Sequence, residues 1–459
     1  MAARLLSTID ARSFGGDGVR VADLNQDGAY ELLFLQSDPC TREITCLTAT
    51  DLSGAVLWQW GTPAPENGAT YSDLAVQVHD WDGDGANEVL WVEQAIYAES
   101  IVWDYAQARH IVVPTTRRGE LKGRQGWAQE AAKRYEENAI VHVLDAATGK
   151  EKTAFPIPAP ADDCLCFANL IGDPGRRDLV VKDRYWNMWG ISNEGRVLWH
   201  YAASNPGHFP IVGDVDGDGL DEICIGWHLL GPDGAVRWTL PGPRSHQDSG
   251  HLVQVDGETR IVFSHGEGEG LSGGVHCLTS DGTELWSREF GHAQIVVPGR
   301  FCPDLGPVQF AVADLGWVQP EGARRAPCMV VLDQDGAEVS RRIYADGTTV
   351  FFSRVDWLGG SAPHCLAVVE GGPFDPEIRA SRNQPPQILD GRGEVVERLR
   401  VTLPDGREAG NYTYAMAADV WGDSREELLV TGRECLNLFT NAELVLDQRR
   451  HSATFYNGQ

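Results

Sequence analysis

Eight times along its 459 residues the chain makes a polar turn and then resumes an apolar or aromatic strand. The copies are Asp51–Trp60, Asp145–Phe155, Ser192–Tyr201, Gly231–Leu240, Thr279–Phe290, Asp333–Tyr344, Asp390–Val401 and Thr440–Arg450. Their turn glycines are Gly54, Gly149, Gly195, Gly234, Gly282, Gly336 and Gly393, with Asn441-Ala442 in the eighth copy. Glycine beside acidic or amide residues is hairpin chemistry, because such turns demand a positive φ. Successive turns are 39 to 57 residues apart, except for a first interval of 95 that holds one repeat plus an insertion. That period is the length of a four-stranded propeller blade. Length alone suggests about three domains; the repeat predicts one all-β propeller over residues 1–459 instead. Counting terminal hairpins gives eight blades, or seven if the two chain ends share one. Arg4–Ile9 can add a strand to the last blade and so remove an exposed edge. The insertion in blade two, residues 98–138, is expected to hold one helix at Gln125–Asn138, where Trp127, Ala131 and Tyr135 recur at i, i+4 and i+8.

A second motif opens several repeats: Asp23-Leu-Asn25-Gln-Asp27-Gly28-Ala-Tyr-Glu31, Asp80-Trp-Asp82-Gly-Asp84-Gly85-Ala-Asn-Glu88 and Asp214-Val-Asp216-Gly-Asp218-Gly219-Leu-Asp-Glu222. Oxygen donors at positions 1, 3 and 5, a glycine for the sharp turn and a carboxylate at position 9 suit Ca²⁺, which takes six to eight oxygens. Three structural calcium sites are therefore expected; the alternative is a tight acidic turn without metal. An EF-hand is excluded, since its closing Glu stands at position 12 between helices. Asp419, Asp423 and Glu427 keep part of the pattern, with Trp421 in place of one ligand, and Asp173–Asp178 and the segment after Asp356 have lost it.

Charge narrows the partners. Lys plus Arg number 38 against 66 Asp plus Glu, a formal net charge of −28, which repels phosphate backbones and anionic lipid. Nucleic acid and membrane surfaces are thereby excluded as partners. No run of about 18 apolar residues occurs and Met1–Gly16 lacks a signal-type apolar core, so a cytoplasmic location is expected. The ten cysteines include no C-x₂-C pair and read as reduced, buried thiols without a zinc site.

Blade strands alternate direction, so segments leading into the first strand (A) and loops joining the second and third (B and C) share one end of the ring; A–B turns share the other. His79 adjoins Asp80 and belongs to the A–B end as a structural residue. The opposite end collects His208, His246 with Asp248, and His292 with Gln294 ahead of three successive A strands. B–C loops add Lys182, Arg184, Tyr185 and Trp186, then Trp227 and His228, then His265-Gly-Glu267-Gly-Glu269-Gly270. The blade-two insertion leaves from the same end as a pocket wall or lid, with Arg117, Arg118, Lys122 and Arg124 adding positive charge. The glycine-rich run from His265 has carboxylates and lacks the Lys-Ser/Thr of a phosphate loop. Any one of these histidines is more often structural than catalytic, but the set on one end of an acidic protein implies an anionic substrate. Tyr71, Tyr185, Trp186, Trp227 and Trp317 either stack on sugar faces or fill the blades.

The strings DLNQDGAYELLF, DWDGDGANEVLWV and DVDGDGLDEICIG, with the tail DVWGDSREELLV before Leu438–Asn441, resemble rhamnogalacturonan lyases of polysaccharide lyase family eleven and related propeller lyases of rhamnose–glucuronate and ulvan linkages. The resemblance covers most of the chain as a repeat pattern. It implies β-elimination at a uronic acid of an oligosaccharide or polysaccharide. Such a reaction must neutralise the carboxylate beside C5, remove the C5 proton and protonate the departing C4 oxygen. Arg184, supported by Lys182, would pair with the carboxylate; His246 or His208 would be the base, with Asp248 orienting His246; Tyr185 or His265 would donate the proton. Trp186, His292 and Glu267 would complete the substrate contacts. The secretion signal and accessory sandwich domain of a polymer-degrading enzyme are absent, which favours trimming of imported oligosaccharides inside the cell. Two other classes remain open: a glycoside hydrolase using Glu267 and Glu269, and a non-catalytic calcium-stabilised binding propeller.

Overall fold

Apolar runs bounded by the turn residues form strands, and the strands assemble into eight blades. The computed structural model describes residues 3–459 apart from 17, 38–42, 66–73, 94–98, 105–108, 115–120, 123–133, 136–138, 162, 184–186, 203–206, 242–244, 268–271, 317–325, 346–347, 376–379, 411, 421–424, 442–455 and 458–459. Blade three is typical: Cys164–Ala168, Asp178–Lys182, Asn187–Ile191 and Val197–Ala202 are its strands A to D, each antiparallel to the next. The other blades span residues 18–61, 76–157, 211–239, 247–290, 293–343, 349–398 and 412–441.

Eight blades, not seven, result because the two chain ends contribute to different sheets. Ala3–Asp10 pairs with Cys435–Asn441 from Ala3↔Asn441 to Asp10↔Cys435 and is strand D of blade eight. The eighth hairpin read from Thr440–Arg450 is thus replaced by the N-terminal strand, and residues 442–455 lie outside the described residues. Tyr456–Asn457 adds a short fifth strand beside Val21 and Arg20 in blade one.

Among the described residues of the blade-two insertion there is no helix where one was expected. Arg134–Tyr135 pairs with Leu121–Lys122, and Glu99–Asp104 pairs with Arg109–Pro114; residues 125–133 and 136–138 lie outside the described residues. Among the described residues only one 3₁₀ turn, Pro303–Leu305, is helical. None is a helix long and apolar enough to cross a membrane. All nine described cysteines are free thiols, eight of them buried.

The core is divided rather than central. Each of eight apolar clusters draws on two neighbouring blades, for example Leu90 and Val141 against Leu165 and Val181, or Val19 and Leu32 against Met416 and Leu429. The turn glycines set the spacing between blades. Gly234 has φ +75°, and a Cβ there would lie 2.6 Å from the ring of Trp199, which stands on strand D of the preceding blade. Trp199 Nε1 then donates to Pro232 O across the seam. The same dock recurs as Gly149 under Trp58, Gly282 under Trp238 and Gly336 under Trp286, and these indoles likewise donate to the next blade's turn. At the closure, Ile9 of the N-terminal strand sits on Gly54.

A second repeated contact orders the A–B loops. The buried carboxylate that opens strand B accepts the backbone N–H of the loop's second residue: Leu24 to Glu31, Trp81 to Glu88, Leu170 to Asp178, Val215 to Glu222 and Val420 to Glu427, all at 2.8–3.1 Å. Asn87 Nδ2 to Asp23 O, and Asn169 Nδ2 to Gly219 O, tie adjacent loops together.

Truncating the dock should loosen the ring. Trp199→Ala is expected to cost about 3–5 kcal/mol and Gly234→Ala, through clash and positive φ, about 1–3 kcal/mol. Because both remove one contact, the double variant should cost less than the sum of the singles in denaturant unfolding; strict additivity would dissociate the glycine from the indole.

Candidate functional site

Antiparallel pairing puts the start of each A strand beside the end of its B strand: Cys164↔Lys182 in blade three, Gln247↔His265 in blade five. Residues just outside these positions therefore meet at one end of the ring. His246 and His292 directly precede strands A of blades five and six (Gln247–Val255 and Ala293–Gly299), and Asp163 precedes that of blade three. His208 is drawn in by its N–H donating to Gln247 O at 2.8 Å.

The centre is Asp248, 2% exposed. Gln294 Nε2 donates to its Oδ1 at 3.0 Å. His292 Nε2 and His246 Nε2 lie 3.3 and 3.6 Å from its Oδ2, and His208 Nε2 lies 3.9 Å from Oδ1. The rings of His208 and His246 are 5.6 Å apart, and those of His246 and His292 5.4 Å. Such closeness needs Gly266, since a Cβ there would come within 2.6 Å of both His246 and His292. Glu267 Oε2 accepts from His292 Nδ1 at 2.6 Å.

Charge in this cluster is organised by burial against pairing. Burial would push the Asp248 carboxyl up, but His246, His292 and His208 outweigh it and hold the group down at about 2. Burial would likewise suppress protonation of His292; Asp248 and Glu267 on its two nitrogens reverse this and raise it to about 10. Glu267, partly buried, is lowered by the same His292. His292 is thus an imidazolium bridging two carboxylates, with no free ring nitrogen to act as a base. His246 and His208 are the more open imidazoles, with side chains 20% and 13% exposed.

Lys182 plays a different part from the one its sequence position suggested. It is fully buried, with Nζ 2.7 Å from Asp163 Oδ2 and 2.9 Å from Asp183 O. Asp163, equally buried, turns its Oδ1 to His208 Nδ1 at 3.0 Å. The chain Lys182, Asp163, His208 leaves His208 Nε2 directed at Asp248. Sequence reading missed Asp163, although it stands immediately before strand A of blade three, the place that His246 and His292 take in theirs.

His265 is set inside blade five. It is 3% exposed, its Nδ1 meets Gly266 O at 2.9 Å and its Nε2 meets His276 Nε2 at 3.2 Å. Burial, with His276 beside it, pushes it down to about 4. Trp227 fills the blade as well, packed on His265 and Phe263 with its indole donating to Ser245 O. His228 is buried against Thr239. Arg184, Tyr185, Trp186, Tyr71, Trp317, Glu269, Arg117, Arg118 and Arg124 lie outside the described residues.

Two kinds of cation-capable group occur. His208, His246 and Asp248 offer ligand atoms within 4.8 Å of one another, with Asp248 Oδ2 facing the nitrogens of His292 and His246. At the other end, Asp80, Asp82 and Glu88, and Asp214, Asp216 and Asp218, form similar groups. Asp23 Oδ1, Asp80 Oδ1 and Glu222 Oε1 are buried there without hydrogen-bond partners. A five-residue strand A separates the two ends by roughly 13 Å. His79 belongs to the loop end, its Nε2 donating to Gly175 O at 2.7 Å.

No known family profile matches the chain, and no curated protein matches it. Solved structures do. The rhamnogalacturonan lyase YesW is similar at 17% identity and TM-score 0.57, over 98% of this chain and 76% of its own. The exotype rhamnogalacturonan lyase YesX is similar at 18% and 0.60, over 95% and 76%, and the Bacillus licheniformis rhamnogalacturonan lyase PL11 at 16% and 0.55, over 98% and 76%. At these identities the likeness establishes a shared fold.

Two outcomes test the internal wiring. Asp163→Ala strands the buried Lys182 ammonium and should cost about 3–5 kcal/mol in denaturant unfolding, with Asp163→Ala/Lys182→Met recovering part of it. His265 is neutral in the fold but titrates near 6.5 when unfolded, so the unfolded chain takes up a proton that the folded chain refuses until about 4. Stability should therefore fall as pH drops from about 6.5 towards 4, and His265→Gln should shrink that loss of Tm; an unchanged profile would contradict the burial argument.

Proposed function

We propose that this protein is a polysaccharide lyase that cleaves a uronate-containing glycan by β-elimination. The observation that carries the reading is the convergence of His208, His246, His292, Asp248 and Glu267, from three blades, on one end of the ring. The propeller fold shared with three rhamnogalacturonan lyases supports it at the level of architecture.

His246, the more exposed of the two open imidazoles, takes the C5 proton; Asp248 stabilises the imidazolium that forms. The electron pair left at C5 forms the C4–C5 double bond as the C4–O bond breaks, and the leaving oxygen acquires a proton. His208, its Nδ1 tied to Asp163, which Lys182 in turn holds, presents Nε2 to the same space. Arg184 and Tyr185, which follow Asp183 in the chain, keep the roles of pairing the carboxylate and donating the proton. Lys182 is a positioning residue that acts through Asp163, and His265 has no free nitrogen with which to serve as the acid.

A second reading of the same cluster is favoured by its donor set, whose ligand atoms lie within 4.8 Å of one another: His208, His246 and Asp248 would hold a divalent cation. That ion would supply positive charge opposite the substrate carboxylate. At the far end, the loops of blades one and four suit calcium as a structural ion, since Asp23 Oδ1 and Glu222 Oε1 are buried there without a hydrogen-bond donor.

Incubation with uronate-containing oligosaccharides should yield an ultraviolet-absorbing unsaturated product. His246→Gln should lower the turnover by about 10²–10⁴-fold with the fold intact. Under the base assignment, activity survives chelation at a temperature where the protein stays folded. Chelator-induced loss that the ion restores in wild type transfers His246 to the cation reading. Saturable sugar binding without product would leave a binding propeller.

A further inference from the structure

The three full acidic motifs look alike in sequence, but among the described residues only the blade-two loop has its ligand carboxylates paired with a cationic side chain. In each, one oxygen of the closing glutamate accepts the loop N–H described above. The other oxygen differs. In blade one, Glu31 Oε1 accepts from Asn25 Nδ2 at 3.1 Å. In blade four, Glu222 Oε1 is buried without a hydrogen-bond partner. In blade two, Glu88 Oε1 accepts from Lys152 Nζ at 2.8 Å.

Lys152 does more than touch Glu88. Its ammonium also lies 2.5 Å from Asp82 Oδ2 and 3.3 Å from Asp84 Oδ2. An ammonium carries three donors and no acceptor, and here three loop carboxylates surround it. These are three of the four carboxylates that the motif would offer to calcium, the fourth being Asp80, whose Oδ1 is buried without a hydrogen-bond partner.

The backbone explains how the side chain arrives there. Strand D of blade two carries a bulge: Val143 pairs with Thr153 and Leu144 with Glu151, so Lys152 is the extra residue. A bulge re-aims the side chain it carries. The same bulge position holds Leu57, Leu198, Leu285, Val339 and Val396 in blades one, three, five, six and seven. A cation stands there only in blades two and four, as Lys152 and Arg237, opposite the two loops with three aspartates. Arg237 lies over Gly231, where a Cβ would meet its Nε at 2.4 Å, and forms no ion pair with Asp214, Asp216, Asp218 or Glu222 among those described.

We propose that Lys152 is a built-in counter-ion that fills the cation position of the blade-two loop, ordering that loop without calcium and competing with the ion for it. The inference rests on the calcium reading of the equivalent loops in blades one and four and refines it, since a motif that matches letter for letter becomes a latent site. Lys152→Leu, which installs the residue of three other blades, should convert it to an open one.

Calcium titration of chelated full-length protein by calorimetry tests this. Lys152→Leu, and the gentler Lys152→Gln, should bind one more calcium per chain than wild type, and adding Glu88→Gln should remove the gain. Chelation should lower the Tm of Lys152→Leu more than that of wild type. Equal stoichiometry and affinity in wild type and both Lys152 variants would overturn the proposal. A gained site in the variants with none in wild type would uphold it while refuting calcium in blades one and four. Two wild-type sites with no gain would do the reverse.

Discussion

The docking of one blade's strand-D aromatic onto the next blade's turn glycine is the contact on which the rest of the molecule depends. A propeller has no single core, so its blades must be held at a fixed angle by the seams between them. At four of these docks the missing Cβ lets an indole pack onto the turn, and the indole N–H ties it to a carbonyl there; Phe155 and Ile9 take the indole's place at Gly195 and Gly54. The same glycine supplies the positive φ that the turn needs. Because eight apolar clusters each bridge two blades, an error at one seam changes the angle of all that follow. Only a closed ring brings residues as far apart in sequence as Asp163 and His292 to one end.

Strand polarity then sorts the chemistry. Side chains at the start of A strands and the end of B strands gather imidazole, buried carboxylate and a buried lysine. Those at the A–B turns gather oxygen donors. In a chain of net charge −28, the proposed function needs an end that can receive an anion, and the bridging His292 offsets the charge of Asp248 and Glu267 there. Burial alone would have moved Asp248 and His292 towards their neutral forms. Pairing wins at both, and that outcome leaves His246 and His208 as the more exposed imidazoles.

Much of this was legible in the sequence, because turn glycines recur at a blade's spacing and hairpin chemistry is local. Strand A positions also placed His208, His246, Asp248 and His292 together. The failures have identifiable causes. Trp127, Ala131 and Tyr135 match a helical period, but Tyr135 pairs with Leu121 across a short ladder. Lys182 reads as a loop cation until Asp163, a neighbour across the sheet, draws it inside. His265 ends strand B as expected, yet Trp227 and His276 enclose it. Lys152 is invisible as a loop partner because a bulge, set by strand register, aims it there. Letters reveal periodicity well; they reveal which charge answers which only after the chain is folded.

Product masses from a uronate oligosaccharide cleaved in ¹⁸O-labelled water give the most direct test. Elimination at the histidine cluster breaks a C–O bond without adding water, so the fragment masses should sum to that of the intact substrate and carry no label. Fragments whose sum exceeds the substrate by one labelled water would establish hydrolysis and contradict the proposed chemistry.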